Sequence, residues 1–457
     1  PHGLRLSIEY AMKKADINFV ICTSTLAQGV NLPIRYLIVT SVYQGKEKIS
    51  VRDFQNLIGR SGRSGMHTEG SILFADPMIY DEKQHWGRVK RLLKASESES
   101  CTSQILALIR PLYSDNKEFQ LEIKPDDLVN TYLLGRSAIE SWVQDLSFQH
   151  SSEGFTEFGL QSQVNQKINT ISAIESYLMA YWDPTQDILE ENSVVVLARG
   201  TLAYFLANED EKKQIEALFV LLASNIETKI PDPIQRKIFG KTMYGVTDSL
   251  AISKWLDEHS TELNAKQSDL DLFNIVWSLL ANNIHNKSFI KCNLPESMKD
   301  MAISWMEGET FEKLLQNLVD SGAKMIAGSK LRNYKIQHIV DTCENGFAFE
   351  GILVLGALIE LIPTMLIEDA SLLVSKLKDL QKRLKYGLPS EIAIVLYELG
   401  YADRVVAIDL STIFHGTVAD KDLVIRVLKA QREAAFAKLN LYPAYFSEVY
   451  KNQVAQV

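Results

Sequence analysis

Two arginines three residues apart, Arg60 and Arg63 in LIGRSGRSG (57–65), are the side chains most suited to chemistry. At a helix end that spacing puts both on one face, where they can converge on one anion. The planar guanidinium donates several bonds at once, which suits the spread charge of a phosphate. A second segment, CTSTLAQGVNLP (22–33), sets Thr23, Ser24 and Thr25 side by side and follows them with Gly29 and Asn31. Hydroxyls and backbone N–H groups at a strand-to-helix turn can hold phosphate. Gly29 lets backbone come close to a ligand, and Asn31 can orient a polar neighbour.

Such residues need a scaffold. LRLSIEYAMKKAD (4–16) has Leu4, Ile8 and Met12 on one helical stripe. NFVICT (18–23), YLIVTS (36–41) and SILFA (71–75) read as short apolar strands. Helices alternating with strands predict a parallel sheet, in which ligands sit at the carboxyl ends of the strands. Both chemical segments are expected at or near those ends. Ser50 and Asp53 form an S-x-x-D capping pattern that starts a helix through Leu57 and Ile58.

Beyond about residue 96 helical periodicity dominates. The polar stretch SESESCTSQ (96–104) marks a boundary, with Ser100 or Ser103 as the N-cap of the next helix. FQHSSEGFTEFG (148–159) reads as a loop or short hairpin, and two prolines in ETKIPDPIQRKIFG (227–240) mark a second boundary. The expected segments are 1–95, 96–240 and 241–457. The apolar run 347–367 approaches the length of a membrane span. Glu350, Glu360 and Pro363 fall inside it, and mid-bilayer acids cost roughly 2–3 kcal/mol each. A buried helix and no membrane contact are expected. In 370–389, Leu373, Leu377, Leu380 and Leu384 form an apolar stripe, while Lys378, Lys382 and Lys385 form a basic face. That face is either a nucleic-acid contact or a solvated lysine row.

The net charge of −9 divides unevenly: residues 1–94 hold 14 Lys/Arg and 8 Asp/Glu, so they carry +6 and the remainder −15. Phosphate binding needs only a local basic surface. Cys22, Cys101, Cys292 and Cys343 stand apart with no CxxC pair, which argues against zinc or a disulfide framework and suits a reducing cytoplasm. The histidines never cluster at ligand spacing. His67 in the loop after the arginines reads as solvated, and His85 and Trp86 as surface packing. The chain opens without Met and close to a motif, so upstream residues are expected.

TSTLAQGVNLP resembles motif V of superfamily 2 helicases of the superkiller type, and NLIGRSGR resembles their motif VI, Q-x-x-G-R-x-G-R. PHGLRLSIEYAMK is similar to the segment before motif V, and the likeness covers about residues 1–80. It implies a partial second RecA-like motor domain, α/β with a parallel sheet, followed by all-α winged-helix-like and ratchet-like helical domains. In that reading Arg60 and Arg63 act as arginine fingers on the γ-phosphate, a role worth ~10³–10⁵ in rate. Gly29, Asn31, Asn56 and Gly59 line the nucleotide, and Thr23 and Thr25 touch the nucleic-acid backbone. Asn56 stands where the family has Gln, one methylene longer. Lys378, Lys382 and Lys385 match the helix that contacts the exiting single strand. GLPSEIAIVLYELGYADRVVAIDLS (387–411) is similar to the family's terminal helix–hairpin–helix, but Tyr401-Ala402-Asp403-Arg404 replaces its Gly-x-Gly, which favours packing or protein contact. No GxxxxGK[ST] loop or DExH segment is present. As printed the chain is expected not to hydrolyse ATP; the intact protein is expected to do so with Mg2+ and single-stranded nucleic acid, DNA favoured over RNA. QGVNLP, RDFQNLIGRSGRSGMHTEG and LKYGLP are similar to the helicase subunits of bacterial phage-defence systems such as Hachiman, implying a protein effector, often a nuclease. The competing expectation is a scaffold that retains half a motor fold; a repair or RNA-processing helicase would share the fold and chemistry.

Overall fold

The computed structural model describes the chain apart from residues 1, 15, 22–33, 45–46, 60, 63–68, 78–80, 82, 99–102, 183–192, 265–267, 365–369, 417–419 and 457. The chain is mostly helical with a few short strands. It divides into two compact units, Pro1–Cys101 with Leu388–Val457, and Thr102–Gly387.

In the first unit β1 (Tyr36–Val39) and β4 (Ser71–Phe74) pair in parallel, from Tyr36 opposite Ser71 to Val39 opposite Phe74. Parallel neighbours need a crossover, and helix Val51–Ile58 supplies one. Ser50 caps it as expected, its Oγ accepting from the Asp53 N–H at 3.0 Å and donating to the Asp53 carboxylate at 2.8 Å. Val51, Phe54 and Leu57 share a buried face and pack with Val39, Val42, Ile49, Val89 and Leu92. The Phe54 ring stacks on Phe74 at 5.9 Å. A hairpin of β2 (Tyr43–Gln44) and β3 (Glu47–Lys48) lies between β1 and the helix in sequence.

The strand expected over 18–23 is not seen in its described part, 18–21. Phe19 and Ile21 are 86% and 101% exposed. Apolar residues make a strand only where a neighbour accepts the backbone bonds, and these have none among the described residues. Among the described residues, parallel pairing is confined to β1–β4 and a bridge between Ile34 and Ser61.

From its C-terminal stretch the same unit takes helices Glu391–Glu398, Arg404–Ser411, Lys421–Ala430, Arg432–Leu439 and Ala444–Gln456. The last packs on helix His2–Lys13, where the Tyr10 hydroxyl donates to Glu448 at 3.2 Å and accepts from Asn452 at 3.0 Å.

The second unit has one continuous apolar core from Leu106 to Leu384. It runs past the proline pair Pro231 and Pro233; helix Pro233–Lys241 lies so close to helix Glu157–Tyr181 that a Cβ on Gly240 would sit 2.5 Å from the Ala180 nitrogen. Two charged groups inside the core are used structurally. Lys167 Nζ donates to the carbonyls of Ala107, Leu108 and Arg110 at 2.6–2.7 Å, satisfying the open end of helix Gln104–Ile109. Glu175 accepts from the Tyr132 hydroxyl, the Asn225 amide and the Val246 N–H at 3.0–3.2 Å. Ser103 caps helix Gln104–Ile109, accepting from the Ile105 N–H. Within 148–159 there is a 3-10 turn, Ser151–Glu153, ended by Gly154 at φ +81°; the loop expected there is present and the hairpin is not. His150–Gly154 hydrogen bonds close the turn locally, leaving no strand pairing.

The apolar run forms a continuous helical stretch, Ile336–Thr364, long and apolar enough to cross a membrane by length and composition. In this unit Phe347, Val354, Leu355, Leu358 and Leu361 are buried in the core. Glu350 turns outward to accept from the backbone N–H groups of His285 and Asn286 at 2.5 and 2.9 Å. Its middle, Thr342–Gly351, is a π-helix.

Candidate functional site

Helix Val51–Ile58 runs back along β1, as a crossover must, so its end reaches the amino ends of the strands. Gly62 N donates to the Ile34 carbonyl at 2.9 Å, and Ser71 N to Arg35 at 2.8 Å. The arginine segment was expected near the carboxyl ends; the helix direction puts it at the opposite edge. The link between Ile34 and Ser61–Gly62 has a larger consequence. Residues 22–33 end beside Ile34 and the arginines flank Ser61–Gly62, so one end of each chemical segment, with residues 34–59 between them in sequence, borders the same junction.

Thr23, Thr25, Gly29, Asn31, Arg60, Arg63 and His67 lie outside the described residues. Asn56 is exposed on the helix, and Gly59 ends it with its N–H on the Gln55 carbonyl at 2.9 Å. Gln55 is no stand-in for Asn56, because its amide donates to the Leu92 carbonyl at 2.7 Å. Two glycines passed over in the sequence, Gly62 and Gly70, meet where the arginine segment leaves the described residues. Gly62 is left-handed at φ +73°, and a Cβ there would lie 2.7 Å from the Gly70 nitrogen. A Cβ on Gly70 would meet the Gly62 nitrogen at 2.5 Å. Both ends of 63–69 are thus joined by bare backbone. The GRSGRSG pattern contained half of that signal; Gly70, outside it, gave none.

The lysine helix Ala370–Tyr386 buries Leu373, Leu377, Leu380 and Leu384 and exposes Lys378, Lys382 and Lys385. None of the three has an ion pair among the described residues, and Lys385 lies 4.8 Å from the Tyr386 ring centre. Like charges one turn apart cost a few tenths of a kcal/mol each. The helix is fixed by Gln381, which donates to the Ile352 carbonyl at 2.7 Å, and by Trp305, whose indole donates to the Leu384 carbonyl at 2.7 Å. Gly387, at φ +61°, ends it under the Trp305 ring, where a Cβ would come within 2.5 Å.

At 401–404 the geometry favours packing. Tyr401 is fully buried, 6.0 Å from the Tyr450 ring. Asp403 accepts from the N–H groups of Val405 and Val406 at 3.0 and 3.2 Å, so a carboxylate already occupies the helix start a phosphate would need.

No protein-family model matches the chain. It is 35% identical over 129 residues to the Hachiman protein HamB of Bacillus cereus, covering 27% of this chain and 11% of that protein. It is 30% identical over 181 residues to the Drosophila melanogaster protein Helicase POLQ-like, covering 38% and 17%. It is 35% identical over 77 residues to the ATP-dependent DNA helicase Hel308 of Aeropyrum pernix, covering 16% and 10%. Each match thus spans less than a fifth of the relative's own length. The curated relatives of this chain include superfamily 2 helicases, each similar to it over part of its length.

Proposed function

We propose that this chain is the C-terminal portion of an ATP-driven translocase on single-stranded nucleic acid, DNA favoured over RNA. The observation that carries the reading is the hydrogen-bonded junction of Ile34 with Ser61–Gly62 at the edge of a parallel strand pair, next in sequence to the 22–33 and 60–63 segments. That is the organisation a second RecA-like domain needs, with winged-helix-like and ratchet-like helical domains after it. ATP with Mg2+ supplies the driving free energy when bound. Arg60 and Arg63 donate to the γ-phosphate, Gly29, Asn31, Asn56 and Gly59 line the nucleotide, Thr23 and Thr25 hold the strand, and Lys378, Lys382 and Lys385 receive it. The phosphate loop and DExH acids come from the rest of the protein, and this chain alone is inactive.

The likeness to a Hachiman protein supports the finer reading of a bacterial, cytoplasmic sensor motor in antiphage defence, coupled to an effector such as a nuclease subunit. The test is ATP hydrolysis by the full-length protein with and without single-stranded DNA and RNA, beside Arg60→Ala and Arg63→Ala. Strand-stimulated hydrolysis that collapses in both folded variants is expected. Absence of hydrolysis in every condition would overturn the motor and leave the scaffold.

A further inference from the structure

We propose that the β-hairpin of the second unit, β5 (Met325–Ala327) and β6 (Lys330–Arg332), is a nucleic-acid contact separate from the lysine helix. The inference rests on the translocase reading above. The segment 324–335 carries Lys324, Lys330, Arg332 and Lys335 and no acidic residue, in a chain of net charge −9. All four are exposed, as are Lys287 and Lys291 on the adjoining segment. None of the six forms an ion pair among the described residues. The nearby carboxylates are turned elsewhere: Asp341 accepts from Ser288 and Asn286 at 2.8 and 3.0 Å, and Glu350 holds the His285 and Asn286 N–H groups.

The hairpin is held firmly at its base. Ile326 N donates to the Lys291 carbonyl at 2.7 Å, and Asn293 N to the Lys324 carbonyl at 3.0 Å. The Tyr334 hydroxyl, on the descending side, donates to the Ser288 carbonyl at 2.9 Å. The tip turns at Gly328, φ +61°. Period-two alternation then separates two faces. Lys330 and Arg332 lie on one, and the cross-strand pair Ile326–Leu331 on the other, 42% and 55% exposed. Edge lysines alone could guard a strand against unwanted pairing. That role does not account for an exposed apolar pair on the same ribbon. Nucleic acid accounts for both, taking cations on its phosphates and apolar side chains against bases or sugars.

The experiment measures binding of labelled single-stranded and duplex DNA by the full-length protein across a salt series. The parent is compared with Lys324→Ala/Lys330→Ala/Arg332→Ala/Lys335→Ala and with a charge-preserving variant, Lys324→Arg/Lys330→Arg/Arg332→Lys/Lys335→Arg. Each lost phosphate contact removes ~0.7 from the slope of log K against log salt for single strands. A slope shallower by ~1.4–2.8 in the alanine variant, restored in the charge-preserving one, is expected. Parent-like binding and slope in the alanine variant would overturn this proposal and leave the translocase reading intact. Failure of the parent itself to bind DNA or RNA would overturn both. Hydrogen exchange on the unmodified protein is independent of whether variants fold: DNA should protect 324–335, and unchanged exchange there under saturating DNA would overturn the proposal.

Discussion

Replacing Gly62 with alanine tests the reasoning about the arginine loop at a residue that carries no charge. A non-glycine residue held at φ +73° costs about 1–2 kcal/mol. The Cβ also runs into the Gly70 backbone at 2.7 Å, which no side-chain rotation can relieve. The segment relaxes by giving up the 2.9 Å bond from Gly62 N to the Ile34 carbonyl, worth about 1 kcal/mol. Together about 2–3 kcal/mol reduces the docked population roughly 25- to 150-fold. Strand-stimulated ATP hydrolysis of the full-length protein is the assay, with thermal melting beside it. Hydrolysis should fall by at least about tenfold, because arginines that are not held cannot stabilise transferring phosphate. Gly87→Ala is the control: on helix Lys83–Leu92, with nothing within 4 Å of an added Cβ, it should stabilise by about 0.5–1 kcal/mol. If Gly62→Ala keeps hydrolysis within about twofold of the parent, or Gly87→Ala proves the more damaging, the clamp does not position the arginines.

Two further expectations follow from the second unit. Lys378→Ala/Lys382→Ala/Lys385→Ala should leave the buried leucine stripe and melting temperature unchanged while flattening the salt slope of single-strand binding by ~2, at ~0.7 per phosphate; an unchanged slope would make the face a solvated row. Glu175 has its carboxyl pKa raised by burial, against the opposing effect of the Val246, Tyr132 and Asn225 hydrogen bonds. The folded state therefore holds its proton more tightly than the unfolded state, so this group's stabilisation is full at acid pH. It fades as pH rises through the folded pKa. Glu175→Gln keeps an acceptor for Tyr132 and Val246, and thermal melts from acid to mildly alkaline pH should show a smaller decline than the parent. A decline of equal size would refute the assignment.

Local interactions were legible in the sequence because they are local. Ser50 caps helix Val51–Ile58 with Asp53 in its first turn, Ser103 caps helix Gln104–Ile109, and the leucines of 373–384 point inward on a period of three and four. The apolar strands at 36–39 and 71–74 formed because each has the other as a neighbour. The equally apolar residues 18–21 have none among the described residues, and pairing is a property of two segments that one segment cannot declare. Motif order implied a phosphate-binding chemistry for the arginine and threonine segments but placed the former at the wrong end of the strands. Its location depends on the direction of the crossover helix. The same limit applies to Gly70, whose role exists only because Gly62 arrives beside it, and to Lys167, an ordinary helical lysine until three carbonyls from residues 107–110 converge on it. The sequence by itself determined which residues could bind phosphate and where helices begin. Only tertiary structure decided which segments meet, because meeting depends on packing between residues far apart along the chain.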